Sequence, residues 1–182
     1  MGWPMTWPHT WGSENFEAAF TLEPRQGQQS IIEVASFVDA ALIKRLRDSP
    51  KELLTLDRRV FEQLVAELFS GFGYQVELTS KSKDGGVDIV AIKHDDFDLR
   101  YLIQCKRPDP GNPVGIDVVR NLIGVMKNNP ASKVVVATTT RLTRGARELV
   151  LENRWEVEAK EYDDIHIWIK RYLAGKQSGI DA

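Results

Sequence analysis

The sequence is short of cysteine, with Cys105 the only one among 182 residues. A single thiol excludes an internal disulfide and any zinc site built from cysteines, and it suits a reducing compartment. An excess of one charge is also missing, because 24 Lys and Arg face 26 Asp and Glu for a net charge of −2. No global positive field announces a nucleic-acid partner, so a face of that kind has to be local. No apolar run approaches the roughly 18 residues a membrane span needs. The N-terminus lacks a basic region followed by an apolar one, so no secretory signal is expected and the cytoplasm is the expected location. There is no internal repeat and no segment that reads as a modified-base reader. Asp84-Gly85-Gly86 is not a phosphate-binding loop, because it lacks the Lys and the following helix such loops require.

With 42% hydrophobic and 27% charged residues, the chain can bury the core of one domain plus an extension. Its organising stretch runs from Asp84 to Lys106. Asp84-Gly85-Gly86 signals a turn, and the β-branched, apolar run Val87–Ile92 is separated by a polar gap from Leu99–Lys106. This spacing predicts an antiparallel hairpin. Alternate side chains on a strand share a face, so Arg100, Leu102, Gln104 and Lys106 project together and the fold-back brings Asp88 towards Gln104. A charge in such a run is costly unless it is paired or binds a metal. Two readings stay open at this point, a plain Asp88–Lys106 salt bridge and a functional site.

Residues 1–29 read as a separate tail, in which Trp3, Trp7 and Trp11 alternate with Pro4 and Pro8. The prolines argue against a helix and leave a flexible tail or an aromatic docking arm. Residues 30–55 read as a helical lead-in, either covering the core or forming a dimer contact. Its first helix is expected to run from a capping box at Ser30-Ile31-Ile32-Glu33 to Asp48, and a second starts at Ser49-Pro50-Lys51-Glu52. After Asp57 comes a strongly amphipathic helix burying Phe61, Leu64, Val65, Leu68 and Phe69 and ended by Gly71 and Gly73. A strand over Tyr74–Thr79, the hairpin, and a helix marked by Val119, Leu122, Ile123 and Met126 follow. The unbroken run Lys133–Thr138 then reads as a central strand covered on both faces. A helix capped by Thr143, a strand over Val157–Lys160 and a helix starting at Asp163 or Asp164 complete the domain, 56–174, before a tail at 175–182. A meander followed by crossovers gives an α/β fold, a mixed central sheet flanked by helices with an N-terminal helical extension.

An acid, then a side-chain oxygen two residues before a Lys on the adjacent strand, resembles the core of the PD-(D/E)xK nucleases. The wording Asp84-Gly85-Gly86-Val87-Asp88-Ile89 and Gln104-Cys105-Lys106 is similar to the Mrr-like, type IV restriction endonuclease branch, with Gln104 where most relatives carry Asp or Glu. The resemblance covers about residues 56–173 and implies a restriction-endonuclease-like core. It implies a Mg²⁺-dependent DNA endonuclease, with Mn²⁺ able to substitute, acting in restriction or defence against foreign or modified DNA. Asp88 and Gln104 would hold the ion together with the backbone carbonyl of Cys105 and with Glu62, the acid of the Phe61-Glu62 pair. Glu62 can otherwise be a solvated helix carboxylate, with Glu67 as a weaker substitute. Lys106 would orient the attacking water or stabilise the transition state. The Cys105 thiol, facing away, reads as core filling, and His94 as a loop residue.

Double-stranded DNA is the expected partner, with a homodimer or a specificity subunit as further candidates and no membrane. Lys81, Lys83, Arg107, Arg120, Arg141 and Arg144 are the candidate phosphate contacts, although each taken alone reads more readily as an ordinary solvated charge. The alternatives are a DNA-binding module of the same fold with little cleavage, a Holliday-junction resolvase-like repair nuclease, and an interaction domain with a chance motif.

Overall fold

The computed structural model describes residues 37–79 and 86–178, the last two of these by backbone alone. The Trp-rich stretch, the capping box at Ser30, Lys81, Lys83 and the Asp84-Gly85 half of the turn lie outside the described residues.

Helix α1 is Ala40–Asp48, so it begins ten residues after Ser30, and Phe37–Asp39 is not helical. The effective cap is Asp39, whose carboxylate accepts from the Ala41 N–H and satisfies one of the donors a helix start leaves open. The restart at Pro50–Thr55 is a 3₁₀ helix rather than an α-helix. Ile43, Leu46 and Leu53 are fully buried, so this lead-in covers the core.

Helix α2, Arg58–Gly71, is capped by Asp57, which accepts from Arg59 and Val60 N–H. It stops where Gly73 takes φ 84°, a left-handed value that glycine adopts without strain. Strands β1 (Gln75–Leu78), β2 (Ile89–Lys93) and β3 (Leu99–Lys106) form an antiparallel meander, with Ile89 opposite Ile103. Helix α3 (Ile116–Asn128) carries the chain to β4 (Lys133–Thr138), and α4 (Arg144–Glu152) carries it to β5 (Val157–Lys160). Both of these strands add in parallel, giving the sheet order β1-β2-β3-β4-β5. Helix α5, Tyr162–Ser178, closes the domain and starts one residue before Asp163.

The sheet separates two apolar layers. On one face Ile89, Ile103, Cys105, Val135 and Ala137 pack with Phe61, Leu64 and Leu68 of α2 and with Ile165 and Ile169 of α5. On the other face Leu102, Val134 and Val136 pack with Val119 and Leu122 of α3 and Ala146 of α4. Alternate residues of β3 and β4 thus serve opposite cores, which is why Lys133–Thr138 reads as an unbroken apolar run.

Candidate active site

Strand β2 is shorter than β3, so the pairing ends at Ile89–Ile103 and leaves the last residues of β3 without a ladder partner on that side. Asp88 fills this gap. Its backbone is clamped between neighbours, with its N–H donating to Ile103 O at 2.9 Å and its carbonyl accepting from Thr79 N–H at 3.0 Å. Its carboxylate Oδ2 then accepts from the Cys105 N–H at 2.7 Å. No salt bridge joins Asp88 to Lys106 among the described residues, so the plain ion-pair reading of the hairpin does not hold.

Burial pushes the Asp88 carboxyl above its ordinary value. The Cys105 N–H opposes this, the charge of Glu62 adds to it, and Lys106 and Arg58 pull the other way. Glu62 is not a solvated helix carboxylate, because it is only 2% exposed and holds Arg59 Nη1 at 2.7 Å. Two carboxylates are therefore gathered near the carboxyl end of β3, and the charge of Glu62 is felt at Asp88.

Gln104 is 6% exposed, and its Oε1 has no hydrogen-bond partner. A buried amide oxygen left bare costs on the order of 1–3 kcal/mol. The side chain sits so close to Gly86 that a Cβ there would lie 2.5 Å from Gln104 Nε2, and Gly86 also has φ 94°. Lys106 is half-buried, stands opposite Thr138 of β4, and makes no ion pair among the described residues. Its carbonyl accepts from Thr139 N–H at 3.2 Å. The Cys105 thiol lies on the other face, in the α2 and α5 core, where burial pushes it well above its ordinary value of 9.0.

These groups offer hard oxygens: a free Asp88 oxygen, the bare Gln104 Oε1 and the Cys105 carbonyl, with Glu62 beside them. That donor chemistry fits a small divalent cation such as Mg²⁺, which completes its shell with water. Among the described residues no three His, Cys, Asp or Glu side chains gather into a metal cluster, so the protein's share is small and partly neutral.

The other residues singled out from sequence fall elsewhere. His94 is exposed and pairs with Asp98 at 2.8 Å at the far tip of the hairpin. Glu67 is structural, accepting from Phe37 N–H and from the Tyr172 hydroxyl. Arg120 pairs with Asp117, and Arg144 with Glu148. Arg107 is tucked in, with Nη1 at 3.5 Å from Leu54 O and a buried Nε without a partner. Sequence reasoning missed Arg58 and Arg59, although Arg59 stands three residues before Glu62, where a helix brings side chains together. It missed Thr139 as well, because a bare buried hydroxyl has no sequence signature.

A curated relative, the uncharacterized protein y4cE of Sinorhizobium fredii, is 30% identical over 112 residues, which are 61% of this chain and 29% of the relative. The chain thus spans under a third of that protein. The solved structure of the DNA modification-dependent restriction endonuclease AspBHI is similar with a TM-score of 0.52 and 20% identity, over 84% of this chain and 44% of the other. The MspJI restriction endonuclease in complex with a 27-mer oligonucleotide gives 0.50 and 18%, over 84% of this chain and 36% of the other. At these identities the two structures speak for the fold alone. The Mrr_cat family, described as restriction endonuclease, matches residues 53–169, most of the chain and every described residue of the candidate site, and the chain belongs to that family.

Proposed function

We propose that this chain is a Mg²⁺-dependent DNA endonuclease that hydrolyses phosphodiester bonds with Asp88, Gln104, Lys106 and Glu62. The observation that carries the reading is the bare, buried Gln104 Oε1 at the same sheet edge as the half-buried Asp88 carboxylate and the unpaired Lys106. Asp88 is fixed by the Cys105 N–H and keeps its other oxygen for a cation. Gln104 Oε1 and the Cys105 carbonyl face the same need, and Glu62 adds a charge that partly replaces the one Gln104 does not bring. When bound, the divalent ion supplies charge neutralisation at the phosphate and a water made acidic enough to attack at neutral pH. Lys106 donates to a non-bridging phosphate oxygen or to the attacking water, and so holds the line of attack. The new P–O bond forms as the opposite P–O bond breaks, the attacking water gives a proton to solvent, and the leaving oxygen takes one from solvent.

Mn²⁺ is expected to substitute, double-stranded DNA is the substrate, and restriction or defence in the cytoplasm is the setting. A homodimer would let two sites cut two strands. One observation favours a second reading, a DNA-binding module with little cleavage: Gln104 stands where an acid would complete the cation's charge. Incubating methylated and unmethylated plasmid with Mg²⁺ or with EDTA tests both. Nicking or linearisation that EDTA abolishes supports the nuclease. Binding of either plasmid with no cleavage in Mg²⁺ or Mn²⁺ would replace it with the binding module.

A further inference from the structure

Next to the candidate active site, at the carboxyl ends of β4 and β5, lies a cleft of about 670 Å³. Thr139, Arg141, Thr143 and Arg147 line it, facing Gly111 and Pro113 from the loop before α3 and Tyr162 from the start of α5. The walls are fastened together. Val114 N–H donates to Arg141 O at 2.8 Å, Thr143 N–H to Val114 O at 2.9 Å, and the Thr140 hydroxyl to Asn112 O at 3.0 Å.

Two independent features give this cleft a preference for an anion. The first is the start of α4, a nine-residue helix. The Thr143 hydroxyl takes the Ala146 N–H, while those of Arg144 and Gly145 donate to no described group. Such a terminus carries partial positive charge. The second is Thr139, which is fully buried, lines the cleft, and has a hydroxyl with no hydrogen-bond partner. Nearly all buried polar groups in folded proteins are paired, so a bare one beside a cleft marks a place for a ligand. Two acids also line it. Glu161 is neutralised by a bidentate pair with Arg147, 2.8 Å on both arms, and by the Leu142 N–H at 3.2 Å. Asp163 is exposed, and it opposes an anion.

The position decides which anion. Thr139 follows directly on the strand end opposite Lys106, and its N–H donates to the Lys106 carbonyl. Among the described residues three buried side-chain atoms lack partners, Gln104 Oε1, Arg107 Nε and Thr139 Oγ1, and all three sit at the ends of β3 and β4. A bare acceptor and two bare donors thus stand towards the carboxyl ends of the same two paired strands. We propose that this cleft is a DNA phosphate subsite, in which the Thr139 hydroxyl, the α4 N-terminus and the Arg141 guanidinium hold a backbone phosphate adjacent to the scissile one. The assignment rests on the nuclease reading for the identity of the polymer, and it makes Thr139 and Arg141 positioning residues. Contacts of this kind set register without reading bases.

The test uses the full chain and a labelled duplex of fixed sequence, titrated in EDTA over a series of salt concentrations. Thr139→Val keeps the branched shape and removes the hydroxyl, so binding should weaken about tenfold, as for a hydrogen bond to a charged group, with no fall in Tm. Thr139→Ser restores the hydroxyl and should recover most of the affinity, which guards against a packing defect in the Val variant. Arg141→Gln should reduce the slope of log K against log salt by about 0.9, one phosphate contact. Wild-type affinity in Thr139→Val, equal weakening in Thr139→Ser, or an unchanged slope in Arg141→Gln would each overturn the subsite. Plasmid nicking in Mg²⁺ separates this from the wider reading. A wild type that binds the duplex with this Thr139 dependence but never nicks loses the nuclease and keeps the subsite. One that nicks while Thr139→Val binds and nicks equally well keeps the nuclease and loses the subsite. A wild type that binds no duplex at low salt loses both.

Discussion

At the scale of single residues, Asp88 and Gln104 bear opposite kinds of cost. Asp88 is a charge in a site where burial and Glu62 disfavour it, and Gln104 is a neutral amide with an oxygen left bare. Asp88→Asn keeps an acceptor for the Cys105 N–H and removes the charge. It should therefore abolish plasmid cleavage and weaken Mn²⁺ binding in a calorimetric titration, while the metal-free protein melts at or above the wild-type temperature. Equal Mn²⁺ affinity in both proteins would place the ion elsewhere. Gln104→Glu adds a second carboxylate and should tighten Mn²⁺ binding without necessarily speeding cleavage, because the added charge also repels the phosphate. Gln104→Leu removes the bare oxygen at similar length and should impair both. If it instead melts higher and nicks DNA at the wild-type rate, Gln104 is not part of the site. The Asp88 bond to the Cys105 N–H was not legible in the sequence, because a backbone donor is the same in every residue. The alternation that sends the Cys105 thiol away from Gln104 and Lys106 was legible, because a strand's period leaves no choice.

Among the elements, α2 bears most on the candidate site, since it carries Glu62 and is seated against α5. That seat is tight. A Cβ on Gly71 would lie 2.2 Å from the Tyr172 ring, whose hydroxyl is tied to Glu67 on the same helix. The ring cannot give way without losing that bond, so Gly71→Ala should destabilise the fold by about 1–3 kcal/mol, the usual cost of overpacking, read as a lower Tm. Gly124 on α3 has nothing within 4 Å of its Cβ position. Gly124→Ala should instead stabilise by about 0.5–1 kcal/mol through helix propensity. Opposite signs from the same substitution are the check. The sequence made α2, the meander and the two-faced β4 readable, because each has a period that only one element satisfies. It misplaced the start of α1, because Ser30 and Asp39 both make acceptable caps and the apolar spacing from Val38 to Leu46 does not say where the helix begins. The 3₁₀ character of Pro50–Thr55 was hidden for a similar reason, since proline at the first position suits either helix type.

For the molecule as a whole, a net charge of −2 means that any DNA affinity depends on a few local cations and falls steeply with salt. The wall of the cleft beside the candidate site has its own acid sensitivity. The Arg147 hydrogen bond, helped by the Leu142 N–H, holds the Glu161 carboxyl below its ordinary value of 4.5 against the effect of burial. A carboxyl lowered by folding contributes stability that is complete above its unfolded value and is lost as pH falls through the folded one. Stability should therefore decline below about pH 4.5 in part through this pair, and Arg147→Gln should flatten that limb in denaturant titrations across pH 5 to 3. An equally steep limb in the variant would assign the acid sensitivity to other carboxylates. The hairpin has a last consequence, for protein engineering. Its tip, His94–Asp98, is exposed and polar apart from Phe97, which is 81% exposed, and it stands at the end of β2 and β3 remote from Asp88 and Gln104. A fluorescent or sequence-reading module spliced there would be carried by a two-stranded stem and would leave the candidate site at the other end of the hairpin untouched.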